Sequence, residues 1–430
     1  MEEKKLDLNS IIGFVLIVGI LIWIMYQNQP DEKQVAAEKA KKELVQKQQA
    51  EIQKVKTAIA AVAKDTTAAD STQLSALKAT LGNFAYSATL PSAKESFTTI
   101  ENELVKITIA NKGGFITEAT LKNQERFKKG SQQLVSLIKD NNSDFNISLL
   151  TQDNRTLQTK DLFFEPTVTK VGDNQIVSMR LKAGANEYLE YKYVLKPNDY
   201  MIDFDVRSQG LNKVLNTSKP LDLEWKLKGI RNEKGIAYEN RYSEIYFEYE
   251  DKKIDYVGQG QNKEENANKV SFVAYKQHFF STILLTKTPF QNAKLHSDNL
   301  VVDEKKDTLF TKQFKANMPL AFNNGEVDYK MNWYIGPTDY ATLKSYDRDI
   351  NKIISLGWGI FGWINMFIFI PLFGFLSSYI AYGIAIIIFT IIIKIAMSPI
   401  TYKSFLSQAK MKVLRPEITE LGEKFKKDPM

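Results

Sequence analysis

Read as apolar and polar positions, the chain shows three kinds of pattern. Two stretches are almost continuously apolar. The first, "IIGFVLIVGILIWIMY" (Ile11 to Tyr26), carries no charge, and with Leu8 to Ser10 it reaches the roughly 17–25 residues that a spanning helix needs. Trp23 and Tyr26 lead into "QNQPDEK" rather than a small-residue cleavage site, which predicts an uncleaved transmembrane anchor over 1–30. The second stretch, Leu356 to Met397, is about twice as long as one span requires. Its first half, "LGWGIFGWINMFIFIPLFGFLSS", is rich in Trp, Phe and Gly and predicts an interfacial helix within 338–378. Its second half, "YIAYGIAIIIFTIIIKIAMSPI", predicts a second transmembrane helix over 379–401.

Between these stretches the period changes to two. In "MIDFDVRS", Ile202, Phe204 and Val206 alternate with Asp203, Asp205 and Arg207; in "LDLEWKLK", Leu221, Leu223, Trp225 and Leu227 alternate with charged residues. Further strands are predicted at "LVKITIA" and "FITEATL" around Lys112-Gly113-Gly114, and at "YLEYKYVL", "IYFEYE", "FFSTILL", "TLFTKQF" and "VDYKMNWYI". Many antiparallel strands with few helices predict a large β-sandwich over 97–337. After Pro337, "DYATLKSYDRDINKII" predicts a short helix. The third pattern, "DEKQVAAEKAKKELVQKQQAEIQKVKTAIAAVAK", is built of strong helix formers and gives way to Ala, Ser and Thr, predicting a helical, low-complexity spacer over 31–96.

Charge placement orients these parts. After Pro399 come Lys403, Lys410, Lys412, Arg415, Lys424, Lys426 and Lys427, which predicts a cytoplasmic segment over 402–430. Lys4 and Lys5 favour a cytoplasmic N-terminus, diluted by Glu2, Glu3 and Asp7. Both ends inside require an even number of crossings, and the simplest count is two. The 97–337 domain then lies outside the cytoplasm.

Composition narrows the function. Across 430 residues, 44% apolar and 11% aromatic content supports a substantial core, and a net charge of +7 from 57 basic and 50 acidic residues is a modest bias. No basic run interleaves with aromatics as in a nucleic-acid groove, so nucleic acid is not expected as a specific ligand. There is no cysteine, and with only His278 and His296 a multi-histidine metal site is not expected. His278, beside Phe279 and Phe280, reads as a packed residue at a strand start; His296, in "AKLHSDN", reads as a loop residue. A G-x-G-x-x-G match at Gly357, Gly359 and Gly362 leads into membrane-type sequence with no acidic residue nearby, so it is not a dinucleotide site. There is no phosphate-binding P-loop, G-x-S-x-G elbow or H-E-x-x-H helix. Neither catalytic residues nor a cofactor are expected.

One residue breaks the second span. Lys394 stands in "AIIIFTIIIKIAMSPIT", where a charge near the centre of a spanning helix costs about 2.5–3.5 kcal/mol. Thr390, Lys394 and Ser398 are four apart, Gly383 lies seven before Thr390, and Thr401 lies seven after Lys394, so one helix stripe is polar or small. Intramembrane polar residues face a bundle interior or a water-filled cavity. Snorkelling is the alternative: Lys394 precedes Lys403 by nine residues, about 13 Å, so its ammonium reaches headgroups only if the boundary falls near Pro399. Farther on, Met411, Leu414, Ile418, Leu421 and Phe425 follow heptad spacing, interrupted by Pro416, which should kink the seam unless a helix begins there. The seam predicts a coiled-coil helix whose partner is supplied elsewhere, or an amphipathic helix on the membrane.

In this order, "ELVKITIANKGGFITEATL", "VAYKQHFFSTILL", "WYIGPTDYATLKSYD", "LGWGIF" and "IKIAMSPITYKSFLSQAKMKVLRPEI" resemble the N-terminal part of the YidC membrane insertase family, in a Bacteroidetes-like version. The resemblance implies a periplasmic β-super-sandwich similar to sugar mutarotases, an interfacial helix, and core spans around a hydrophilic groove, into which a basic residue of the second span projects. Lys394 matches that position, where the family usually has arginine; charge is kept and the bidentate fork is lost. The sequence reads as ending early in the cytoplasmic helical hairpin, with four later spans missing. Implied partners are nascent inner-membrane proteins, the lipid bilayer, the Sec translocon and the ribosome, at the bacterial inner membrane. Thr390, Lys394, Ser398 and Thr401 are the expected substrate-facing groove residues. The competing readings are a membrane-anchored periplasmic scaffold and a carbohydrate-binding β-sandwich.

Overall fold

The structure, a computed structural model, describes residues 71–250, 252–258 and 263–424; the expected anchor and the first part of the spacer lie outside them. The chain divides into two units, Met1–Ile353 and Ile354–Met430.

Among the described residues, the first unit is built mainly of antiparallel strands. A four-stranded sheet runs β1 (Phe97–Glu101), β2 (Val105–Ala110), β3 (Ile116–Glu125), β4 (Leu134–Ile138) in sequence order. A thirteen-stranded sheet follows, from β5 (Ser143–Leu150), β6 (Thr156–Gln158), β7 (Glu165–Val171), β8 (Asn174–Lys182), β9 (Tyr188–Leu195) and β10 (Met201–Gln209) to β11 (Leu221–Ile230). It is completed by β12 (Ser243–Tyr249), β13 (Lys253–Val257), β14 (Lys263–Gln277), β15 (Phe280–Asn299), β16 (Phe310–Leu320) and β17 (Asp328–Pro337). Its main path is β6-β5-β11-β16-β15-β17-β10-β9-β8-β7.

The long strand β15 organises this sheet. One edge pairs with β14 along most of its length; the other pairs with β17 over Phe280–Thr286 and with β16 over Lys294–Asn299. Between the two halves, β15 runs from Leu285 to Phe290 while β14 advances only from Phe272 to Val270, and the surplus residues, Pro289 among them, form a bulge that bends the strand. Two leaves, β6-β5-β11-β16 and β17-β10-β9-β8-β7, therefore hang from one strand and fold face to face. Their shared core is aromatic: Phe145 meets Tyr191 and Phe204 at 5.9 and 5.6 Å, and Trp225 meets Trp333 at 4.8 Å. The expected sandwich is present.

Alternation puts the apolar side of each strand in that core. Ile202, Phe204 and Val206 are completely buried, as are Leu223 and Leu227. The turn from β2 to β3 needs its glycines: Gly113 and Gly114 have φ of +85° and +68°, and a Cβ on Gly114 would lie 2.8 Å from the Phe164 ring.

Several local features refine or differ from these expectations. Residues 71–88, within the stretch expected as spacer, form α1 (Ser71–Leu81) and α2 (Ala85–Ala88), with Leu77, Leu81 and Phe84 buried. Spacing of four and three places these three side chains on one face, and Arg155 Nε bonds the Ala79 carbonyl at 3.1 Å. His296 is a strand residue within β15, not a loop residue, its ring nitrogen Nε2 2.8 Å from Asp298 Oδ1. His278 sits one step before its strand, in the two-residue β14–β15 turn with φ of +49°. A short helix, α3 (Ile236–Arg241), precedes β12. After Pro337 the expected helix is split into α4 (Tyr340–Ser345) and a 3-10 turn at Ile350–Ile353, because Asp347 and Asp349 adopt positive φ.

Candidate functional site

The second unit is helical. Gly357 and Gly359 take φ of +92° and +57°, and a Cβ on Gly362 would stand 2.4 Å from the Gly357 carbonyl. The three glycines of the G-x-G-x-x-G match thus serve a tight turn into a helix. That helix comprises α5 (Gly359–Ile364), a π-helical turn at Asn365–Phe369 and α6 (Ile370–Tyr379), with Asn365 Nδ2 donating to the Leu356 carbonyl at 2.6 Å. Ile380 is extended, and after this break α7 (Tyr382–Lys424) runs for 43 residues. Both helical stretches are long and apolar enough, by length and composition, to cross a membrane.

Helix α7 passes through Pro399 and Pro416 without interruption, where a kink or a fresh start at Pro416 was expected. Each proline removes one i→i−4 bond, a local loss of about 3 kcal/mol that neighbouring bonds of a long helix bridge. Met411, Leu414, Ile418 and Leu421 are all exposed along its far end.

The break lets α6 fold back against the start of α7. Phe373 approaches Tyr382 at 6.2 Å, and both Phe369 and Phe373 meet Phe389, at 5.4 and 5.9 Å. Ala385 is completely buried in this contact, whereas Ile384, Ile386 and Ile387 are exposed. The spacing of polar residues does not single out Ala385, whose one signal in the sequence is a small side chain beside a run of isoleucines.

The four groove residues inferred from the sequence share the other side of α7. At roughly 100° per residue, Gly383, Thr390, Lys394, Ser398 and Thr401 fall within an arc of about 80°, centred about 150° from the face of Tyr382, Ala385 and Phe389. All five are exposed. Thr390 Oγ1 donates to the Ile386 carbonyl at 2.7 Å and Thr401 Oγ1 to the Met397 carbonyl at 3.0 Å. Their protons are thereby spent on the helix, and what they present outward is oxygen. Lys394 supplies the charge of the stripe. No Asp or Glu occurs between Asp349 and Glu417, and Glu417 is 23 residues, about 34 Å, along the helix from Lys394. The described unit thus shows a cation on a polar stripe with no carboxylate of its own nearby.

Comparison with known proteins places this architecture. The family model described as the YidC periplasmic domain matches residues 98–371, and the model described as 60Kd inner membrane protein matches 372–430. The membrane protein insertase YidC of Parabacteroides distasonis is 35% identical over 437 residues, covering 98% of this chain and 67% of that protein. The Bacteroides fragilis protein of the same name is 33% identical over 435 residues, with 98% and 67% coverage. The chain spans about two thirds of the length of these relatives. Among solved structures, the periplasmic domain of the Thermotoga maritima YidC aligns over 59% of this chain and 90% of that chain, at 13% identity and a TM-score of 0.32. A galactose mutarotase-like protein from Lactobacillus casei aligns over 56% of this chain and all of that one, at 12% identity and a TM-score of 0.33. Those two scores are too low to bear on activity; sequence does that. With one family model over most of the β-unit, another over the helices, and a relative 35% identical along nearly the whole chain, this protein belongs to the YidC family of inner-membrane protein insertases.

Proposed function

We propose that the chain assists insertion of inner-membrane proteins by letting Lys394 attract acidic residues in the extramembrane tail of a nascent protein while the tail's apolar neighbour moves into lipid. The observation that carries this reading is the stripe of Thr390, Lys394, Ser398 and Thr401, turned away from the α6 contact and lacking any acidic residue between Asp349 and Glu417. A cation that costs energy in hydrocarbon and lacks an internal counterion is suited to an incoming carboxylate. Oxygen-bearing neighbours keep the stripe wettable, and water beside the helix shortens the apolar path for a polar tail.

The driving forces need no nucleotide. Burying an apolar segment yields about 25 cal/mol per Å². Moving an acidic residue outward gains about 2.3 kcal/mol per 100 mV of membrane potential. In this reading the N-terminus and α7's lysine-rich end are cytoplasmic, the β-unit is periplasmic, α5 and α6 lie at the interface, and the Sec translocon and ribosome are partners. The heptad positions of α7 are offered to a helix of the complete protein.

Insertion of a dependent single-span substrate by the complete protein tests it. Lys394→Arg should keep most activity, and Lys394→Glu should lower it tenfold or more; full activity from Lys394→Glu would remove the charge from the mechanism.

A further inference from the structure

At one end of the β-unit, far in sequence from α7, lies an open cavity of about 660 Å³. The loop after β3 and the loop after β11 form its walls, with the β14–β15 turn and the residues that follow β17. We infer that this cavity binds a phosphate group carried on an apolar or aromatic body.

Lys128, Lys129 and Lys234 line the cavity, and all three are exposed and free of ion pairs among the described residues. The three carboxylates on the same walls keep their charge but are held in place by hydrogen bonds. Glu125 accepts the N–H groups of Gly130 and Gln132, Asp339 accepts from the Thr342 N–H and hydroxyl at 2.8 Å each, and Glu233 lies 2.5 Å from His278 Nδ1. Next to the wall, the Arg126 and Arg231 guanidinium groups lie 4.7 and 5.2 Å from the Phe127 ring centroid, and each has a buried Nε with no partner. Burial and the neighbouring Arg231 charge both push the Arg126 pKa down. Counting both arginines, five cations stand against the three lining carboxylates, an excess of positive charge that favours an anion.

Phe127 has φ of +64° and His278 has φ of +49°, conformations that a bulky side chain adopts only where the surroundings hold it. Phe127 is held by its N–H bond to the Asn232 carbonyl at 2.8 Å. The strain sets aromatic rings at the rim: Phe127 on one side, and on the other Phe279, which is 55% exposed. Asn232, 3% exposed, also lines the cavity, and its Oδ1 has no partner. That oxygen suits a hydroxyl next to the phosphate.

A phospholipid headgroup and a free organic phosphate share this chemistry, and binding measurements separate them. The full chain in neutral detergent is titrated with inorganic phosphate, with dihexanoyl phosphatidylglycerol and with zwitterionic dihexanoyl phosphatidylcholine. The wild type should bind a charged probe saturably, and the triple variant Lys128→Gln, Lys129→Gln, Lys234→Gln should bind it at least tenfold more weakly. A control of equal charge, Lys219→Gln, Lys305→Gln, Lys306→Gln, should bind as the wild type does. Phosphatidylglycerol binding alone assigns the site to a headgroup; equal binding of inorganic phosphate assigns it to a soluble ligand. Absence of saturable binding, or equal weakening in both triple variants, overturns the inference.

Discussion

Phe389 of the long helix meets Phe369 edge to face, ring centroids 5.4 Å apart and planes at 85°, so the two apolar helices of the second unit are locked by aromatic contacts on either side of a short break. Ala385 sits buried in the same contact. Enlarging it should separate the pair, since overpacking a tight contact costs about 1–3 kcal/mol. The chain has no cysteine, so Phe373→Cys with Tyr382→Cys gives one defined pair for a short bismaleimide. Cross-linking should be efficient with Ala385 present and fall several-fold in Ala385→Leu; an unchanged yield would mean the contact is not maintained in the membrane.

Glu190 is 1% exposed and accepts from Arg180 Nε at 2.9 Å, from Arg207 Nε and from Ser178 Oγ at 2.5 Å. These bonds outweigh the penalty of burial and hold its pKa below the usual value. A depressed carboxylate stabilises fully above its unfolded pKa, about 4.3, and loses that contribution as pH falls through the folded value. Glu190→Gln should therefore be less stable by about 1–3 kcal/mol at neutral pH, and the gap should close in acid. Thermal unfolding of both proteins from pH 3 to 7 is the measurement, and a gap independent of pH would contradict it.

Glu239 behaves in the opposite sense. It is completely buried, and burial raises its pKa to about 7 although the Asn232 and Glu233 N–H groups donate to it. The folded state here holds a proton that the unfolded state releases, so wild-type stability should decline as pH rises from about 4.3 toward 7 and then level. In Glu239→Gln that decline should be shallower. Denaturant midpoints at pH 5, 6 and 8 decide it, and parallel curves would refute the assignment.

Asp339 caps α4 through the Thr342 N–H and hydroxyl. Replacing it by alanine should cost about 1 kcal/mol, while Asp339→Asn should cost much less. Chemical denaturation would expose the difference, and equal losses would point to charge instead of capping.

Much of this architecture is legible in the sequence because one-sided burial leaves a mark. β10 and β11 put Asp203, Asp205 and Asp222 outward and Phe204 and Trp225 inward, and their alternation is plain. The β14–β15 hairpin is less so: its turn, His278-Phe279, carries no Gly or Asn, and the left-handed conformation falls on the histidine itself. The polar stripe of α7 is visible at spacings of four and seven, since a lysine among isoleucines announces itself. Its continuation through Pro416 is not, because local chemistry argues for a stop there. The cavity was invisible: Lys128 and Lys234 stand more than a hundred residues apart, and only the sheet brings them together.

Because β15 hydrogen-bonds to β17 at one end and β16 at the other, the two leaves of the thirteen-stranded sheet are joined through one continuous backbone ribbon. Tension passing from one leaf to the other must travel along that ribbon, and cutting it at the Leu285–Phe290 bulge would leave the leaves joined by side-chain packing instead of a shared strand.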